Sequence, residues 1–372
     1  MATTADTIII GGGLVGAAVA YGLARDGLKA IMLDEGDVAF RASRGNFALI
    51  WTQSKGAGLP EYQRWSRLSS DEWVSFAAEL LDQTGVDCGH RRNGGIHLCL
   101  STEELEKRRK LVSQIRAEDA TGSYQGEMLT REELCKLLPA LGPDVVGGAF
   151  CPQDGHVNPL YTLRALHRAF LARGGNYFAE SRVAFIDAAP NRFTVHTTSA
   201  SYTAPKIVLA AGLGNKELGT MVGLNVPVRP VRGQIIVTER VKPVLEFATT
   251  NIRQTVEGSL LIGESREDAE FDDFTETTVA HKLAKRAIRA FPFIGKVGVV
   301  RTWAALRVMS PDSHPIYEQS KQFPGAFVCT CHSGVTLAAA HAMHYSKFVA
   351  GGALPERMMA FSTRRFDVQS GH

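Results

Sequence analysis

The sequence predicts an α/β protein: a parallel sheet flanked by helices, joined to a region with a mainly antiparallel β-sheet and flanking helices. Three observations predict it. An apolar run, Ile8 to Ile10, opens directly into Gly11-x-Gly13-x-x-Gly16 and a helix-forming stretch. A second apolar run ending in small residues, "KIVLAAGLGN", follows near position 206. From Pro227 the character changes to strand-forming stretches, "PVRPVRGQIIVTE", "SLLIGES" and "VGVVRTWAALRVMSPDSHPI". Strands buried on both faces of a parallel sheet read as continuous apolar runs, and β-rich stretches punctuated by turn residues read as antiparallel strands.

At 372 residues the chain is long for one core and reads as two sub-domains. A formal net charge of +3, with no dense basic run, argues against a nucleic-acid partner. No apolar run approaches the roughly 18 residues of a membrane span. The N-terminus has no basic start followed by an apolar stretch, so the expected location is cytoplasmic. The cysteines Cys88, Cys99, Cys135, Cys151, Cys329 and Cys331 are scattered and lack the CxxC pairs of a metal centre, so buried thiols are expected and no metal site.

The opening unit is a Rossmann-like dinucleotide site. Gly11 permits a tight turn, Gly13 lets backbone approach a diphosphate, and Gly16 allows close helix–strand packing. The helix that follows, carried by Ala17, Val19, Ala20, Leu23 and Ala24, presents its free amides and positive dipole end to the anion. Asp34 closes the next strand, 18 residues after Gly16, where a carboxylate reaches ribose hydroxyls. This unit alone does not choose between NAD and FAD.

Phe40 to Gly56 reads as a polar loop lying over the same ligand. Tyr62, Trp65, Leu68, Trp73, Phe76, Leu80 and Leu81 follow near helical spacing and mark a long amphipathic helix with an aromatic core face. "RRNGGIHLCLS" reads as a strand bent at Gly94-Gly95. Ser101 with Glu104, and Thr130 with Glu133, have the spacing of capping boxes. Between them, Glu103–Lys107, Glu104–Arg108 and Glu106–Lys110 are pairs four apart, expected on a solvated helix face. Asn158 and Pro159 start another helix, and strands are expected around Arg182–Ile186, Phe193–Thr197 and Lys206–Ala210. A helix is expected over Glu276–Phe291, and the chain then returns to strand–turn–helix in "AFVCTCHSGVTLAAAHAMHYSKFVAGG".

Taken together, "ASRGN", "DGHVNP", "IVLAAG", "VRGQ", "WAALRVMSPDSHPI" and "CHSGVTLAAAHA", in this order behind the glycine motif, resemble the FAD-dependent D-amino-acid oxidase/glycine oxidase (DAO) superfamily nearly end to end. Within it, "RASRGNFALIWTQSKG" and "CHSGVTLAAAHA" are most similar to the β subunits of opine (octopine and nopaline) oxidases, with hydroxyproline dehydrogenase and hydrogen cyanide synthase β subunits close by. The resemblance implies FAD rather than NAD, and a discontinuous FAD-binding domain over 1–85, 149–225 and 312–372. It implies a substrate-binding domain over 86–148 and 226–311.

By position, the resemblance places Gly11, Gly13 and Gly16 at the diphosphate and Asp34, with Glu35, at the adenosine ribose. Ser43, Arg44, Gly45 and Asn46 would lie along the diphosphate and flavin. Val183 would meet adenine through its backbone, Ala211 and Gly212 would sit near the cofactor, and Gly334, Val335 and Thr336 would approach the flavin ring. Arg307 falls where glycine-oxidase-like members keep the arginine that grips the substrate carboxylate, although Ala305 and Val308 replace a glycine and a proline. A guanidinium suits that task because its fork matches both carboxylate oxygens. The competing reading makes Arg307 structural, paired with an acid such as Asp312. His332 falls beside the flavin and is the second catalytic candidate; His156 lies in the "DGHVNP" loop.

The absence of a cysteine from "AALRVMS" implies non-covalent FAD. The implied chemistry is hydride transfer to flavin N5 from a carbon bearing nitrogen, in an opine, imino acid or amino acid, giving an imine that water hydrolyses. The implied assembly adds an α and a small γ subunit, which would hold or share any FMN and iron–sulfur cluster. The alternatives are a stand-alone glycine, sarcosine or D-amino-acid oxidase or dehydrogenase, an NAD(P)-dependent dehydrogenase, and a non-catalytic flavin-binding subunit.

Overall fold

The computed structural model describes residues 3–36, 42–263 and 265–370. Phe40 and Arg41, at the start of the polar loop, and Glu264 lie outside the described residues.

Five parallel strands form the central sheet, in the spatial order Ala326–Thr330, Ile207–Leu209, Thr7–Ile10, Ala30–Leu33 and Asn176–Phe178, with Ile316–Gln319 antiparallel at one edge. The sequence explains the burial on both faces. Along each strand successive side chains alternate in direction. Ile9, Met32 and Val208 pack into a helical layer, whereas Ile8, Ile10, Ile31, Leu33, Ile207 and Leu209 pack into a second core. The helical layer comprises Leu14–Arg25, Pro60–Thr84, Pro159–Ala172 and Gly334–Ala340, which contact one another around Ala17, Trp73, Phe76, Ala165 and Ala338. The opposite face is covered by a small sheet of Thr3–Thr4, Ser201–Ala204, Arg192–Thr197 and Val183–Ala189. The last strand of the central sheet thus lies two places from the first βα turn, although some 300 residues separate them in sequence.

The antiparallel region holds two four-stranded sheets. One runs Ile252–Gln254, Ser259–Ile262, Arg229–Arg240, Val299–Met309, and the other Ala248–Thr249, Gly95–Cys99, Gly147–Cys151, Glu127–Thr130. Ile236, Leu260 and Ile262 of the first meet Ile96 and Leu98 of the second, with Leu283 and Ala287 of helix Thr277–Ala290 closing the same core.

Local signals held where they were self-contained. Asn158 Oδ1 accepts from the amides of Leu160 and Tyr161 at 3.1 and 3.2 Å. Thr130 and Glu133 form a complete capping box. At Ser101 only half forms: its side chain accepts from the Glu104 amide, but the Glu104 carboxylate takes the Leu100 amide at 2.9 Å. Of the three expected ion pairs, Glu103–Lys107 closes at 2.6 Å. Glu104 instead accepts both Arg286 nitrogens, and Glu106 meets Arg109. Arg108 is buried and donates to Gln53 of the polar loop. The face is solvated at Glu103, Glu106, Lys107 and Lys110, as expected, but packed at Arg108 and Glu104, where a tertiary guanidinium displaced the local partner. Leu81, expected on the core face, is 45% exposed.

Candidate active site

The first βα turn is tight because its glycines leave no room for anything else. Gly11 has φ +111°, and a Cβ added there would sit 2.4 Å from the Ala210 carbonyl oxygen of the neighbouring strand. A Cβ on Gly16 would lie 1.9 Å from the Gly11 carbonyl oxygen, so this position brings the helix down on its own strand. A Cβ on Gly13 would meet Ser43 Oγ at 2.7 Å. Ser43 Oγ in turn accepts the Leu14 amide at 2.9 Å, so the polar loop caps the helix from outside. Asp34 accepts the Gly12 amide on Oδ2 at 2.5 Å and the Gly36 amide on Oδ1 at 3.0 Å, which ties the end of the second strand to the glycine turn. An ionised carboxylate has about four acceptor positions, so these two bonds leave capacity for hydroxyl donors.

A cavity of about 1340 Å³ begins at this turn. It is lined by Gly11, Gly13, Asp34, Glu35, Ser43, Arg44, Gly45, Asn46, Val183, Ala211, Gly212, Gly334, Val335 and Thr336, and reaches Arg307 and His332. Gly16 is not among the lining residues, and the closeness of the Gly11 carbonyl gives it the helix-packing place expected of the third glycine. Small-molecule pockets usually measure about 300–1,000 Å³. This one has room for a dinucleotide and a second small molecule.

The walls are held by local turns and by a long-range bond. Asn46 Oδ1 accepts the Ala48 amide at 2.5 Å, and the Trp303 indole donates to the Gly45 carbonyl at 3.2 Å. Gly45 could hold no side chain, since a Cβ would lie 2.4 Å from that of Ala305. The Ala211 amide donates to Asn215 Oδ1 at 2.8 Å. Near Val183 the register slips between Val183 and Phe185, and a bulge of this kind leaves backbone groups outside the ladder. Arg182, Val183 and Ala184 face the cavity at that slip.

In the same cavity, Arg307 Nη1 donates to the Ser265 carbonyl at 2.7 Å and to the Arg232 carbonyl at 3.2 Å. Asp312, the candidate structural partner of Arg307, is instead held by Arg365 at 2.7 Å. His332 lines this cavity with Lys55 and Arg266. Burial first, then the charges of Lys55, Arg307 and Arg266, hold its imidazole well below the ordinary histidine value, so it is neutral at physiological pH. Cys331 also lines the cavity; burial pushes its thiol up to about 12. His156 lies away from the lining, buried in the short ladder opposite Leu49.

Sequence reasoning missed Lys55, Arg266, Phe271 and Asp273, which all line the cavity. Lys55 stands in "WTQSKGAG" and the others in "SREDAEFDDF", stretches with no periodicity and no motif spacing to single them out.

Among the described residues no helix is long and apolar enough to cross a membrane, and no group of three His, Cys, Asp or Glu could hold a metal ion. All six cysteines are free thiols.

The fit to known proteins follows the geometry. The chain is 42% identical to an opine oxidase subunit of Agrobacterium tumefaciens (strain Ach5) and 41% to its counterpart in Rhizobium meliloti, each over 98% of both chains. A crystal structure of glycine oxidase from Bacillus cereus ATCC 14579 superposes with a TM-score of 0.86 at 22% identity, covering 97% of this chain and 99% of that one. That likeness is one of fold. The family model described as "FAD dependent oxidoreductase" (DAO) matches residues 6–347, which removes the NAD(P) alternative: the glycine turn and the chain's last strand–turn–helix belong to one flavoenzyme fold, and this protein is a member of the DAO family of FAD-dependent oxidoreductases.

Proposed function

We propose that the chain oxidises a C–N bond next to a carboxylate in an opine, imino acid or amino acid, using non-covalently held FAD, as the catalytic β subunit of a heteromeric dehydrogenase. The observation that carries the reading is that Arg307 and the glycine turn line one and the same cavity. Asp34 and Thr336 would be among the residues that hold a dinucleotide in the cavity that Arg307 also lines.

The residues fit FAD in three ways. The glycine cradle excludes side chains where a diphosphate must approach, Asp34 keeps acceptor capacity beside it, and the slipped register at Val183 offers backbone to an adenine. Bound FAD supplies the hydride acceptor. The chain's own residues do the rest. Arg307 binds the substrate carboxylate through its fork and fixes the substrate carbon; fixed geometry of this kind lowers the barrier without a strong base once the amine is neutral. His332, held neutral, offers a hydrogen bond rather than a competing charge. The raised Cys331 thiol is a poor nucleophile, which supports a non-covalent cofactor.

The heteromeric role is supported by the opine oxidase relatives, which are themselves named as subunits. Any FMN and iron–sulfur cluster of that assembly would be held by or shared with the α and γ partners. We assign the FAD-binding pieces to 1–85, 149–225 and 312–372, with 86–148 and 226–311 shaping the substrate end. The test is anaerobic flavin bleaching by a panel of opines, imino acids and D-amino acids, with the partner chains co-expressed. Bleaching by an opine that Arg307→Ala abolishes is expected. Bleaching untouched by Arg307→Ala overturns the carboxylate assignment, and peroxide production by the isolated chain favours the stand-alone oxidase.

A further inference from the structure

The "VRGQ" motif lies on strand Arg229–Arg240, directly against the strand that carries Arg307, with Val231 opposite Arg307 and Arg232 opposite Leu306. Of its last three residues Gly233 lines the cavity, while Arg232 and Gln234 are buried behind it and bond the segment that forms part of its wall. A Cβ added to Gly233 would lie 2.4–2.5 Å from three atoms of the Arg307 guanidinium, so this glycine is the bed on which the fork rests. Arg232 is 2% exposed and gathers three acids from one segment: Glu267 at 2.8 Å, Asp272 at 2.7 Å, and Glu276. Gln234 binds the same segment three times: its side chain donates to Glu267 at 2.7 Å and accepts the Glu276 amide at 3.0 Å, and its backbone amide donates to Ser265 Oγ at 2.6 Å. The Arg232 and Glu267 backbones also exchange two hydrogen bonds of 3.0 Å.

That segment, 265–276, is part of the cavity wall. It contributes Arg266, Phe271 and Asp273, and its Ser265 carbonyl is the acceptor at 2.7 Å from Arg307. A buried arginine holding three carboxylates is a strong local constraint, because losing it leaves the acids facing one another with no compensating charge. The constraint ends on the atom that aims Arg307.

We propose that Arg232 is a positioning residue: by clamping segment 265–276 it holds the Ser265 carbonyl that, with the Gly233 bed, orients the Arg307 guanidinium toward the substrate carboxylate. The inference rests on the carboxylate role given to Arg307. It assigns selectivity for carboxylate substrates partly to residues that never touch them.

The test uses the flavin-loaded enzyme with its partners and two readouts. Acetate, the minimal carboxylate, is titrated and followed by the flavin absorbance. Chymotryptic nicking is followed at Phe271 and Phe274, which are 72% and 78% exposed. In Arg232→Gln, nicking accelerates and the acetate Kd rises about tenfold, the scale of one charge-assisted hydrogen bond. In Gly233→Ala the clamp stays, so the Kd rises similarly while nicking keeps the wild-type rate. If Arg232→Gln does not fold, Glu276→Gln, which weakens one half-exposed arm of the clamp, carries the test: faster nicking with a raised acetate Kd is expected, and faster nicking with an unchanged Kd overturns the positioning role. A merely structural Arg232 would lower Tm and leave the acetate Kd within twofold of wild type. That result, with Arg307→Ala abolishing acetate binding, overturns the positioning role alone. Unchanged acetate binding in Arg307→Ala overturns the carboxylate reading, and the inference with it.

Discussion

Thr336 Oγ1 accepts the backbone amide of Trp51 at 3.1 Å and donates to the Leu49 carbonyl at 3.3 Å, joining residues 285 apart in sequence. The hydroxyl stitches the polar loop to the first turn of the closing helix, and all three residues line the cavity. Thr336→Val preserves shape but strands a buried amide, at a cost of about 1–3 kcal/mol. Lower Tm and weaker flavin retention on gel filtration are expected, while Thr336→Ser stays close to wild type. A valine variant with wild-type flavin content and Tm would show that the stitch does not matter.

Gly13 and Gly16 separate cofactor approach from folding. A methyl at Gly13 meets the end of a serine side chain, whereas at Gly16 it meets a backbone carbonyl that cannot yield. Gly13→Ala is therefore expected as a soluble, folded protein with reduced FAD content. Gly16→Ala is expected to lose about 3 kcal/mol or more by overpacking, seen as a lower apoprotein Tm. Equal apoprotein Tm values for the two variants would contradict the assignment.

Asp154 predicts a pH dependence of stability. It is fully buried, and accepts from the Thr52 hydroxyl at 2.7 Å and the Gln53 amide group at 2.8 Å. Burial raises its carboxyl to about 6, against the opposing pull of those donors and of Arg108. Between about pH 4 and 6 the native state keeps a proton that the unfolded chain has lost, so this contribution is fully present below pH 4 and falls as pH rises through 6. Its full size is about 3 kcal/mol. The difference in unfolding free energy, wild type minus Asp154→Asn, should therefore decline across that window in urea titrations. A flat difference would place the Asp154 carboxyl near its ordinary value.

His332 predicts the absence of a titration. With its imidazole held neutral, acetate affinity between pH 6 and 8 should follow the same profile in wild type and in His332→Gln. An inflection near pH 6.5 that only the wild type shows would mean the ring charges in that range.

Legibility tracked the range of the interactions. The expected helix Glu276–Phe291 appears as Thr277–Ala290 with those two residues as its caps, because amphipathic spacing is written within four turns. The expected strand Lys206–Ala210 appears as Ile207–Leu209. The Glu104–Arg108 pair failed where Arg286 and Gln53, distant in sequence, offered partners that helical spacing cannot anticipate, whereas Glu106 only exchanged Lys110 for Arg109 on the same helix.

By itself the sequence determined the strand–Gly11-x-Gly13-x-x-Gly16–helix–Asp34 unit, the Asn158 cap and the residue types able to hold a dinucleotide. Each depends on neighbours within a few turns of chain. The tertiary structure alone decided that Lys55 and Arg266 share a cavity with Arg307, that Asp312 goes to Arg365, and that Arg232 gathers Glu267, Asp272 and Glu276. Charges separated by tens to hundreds of residues leave no periodic trace. Their pairing is set by which sheets and loops fold against one another, and only the packed chain contains that information.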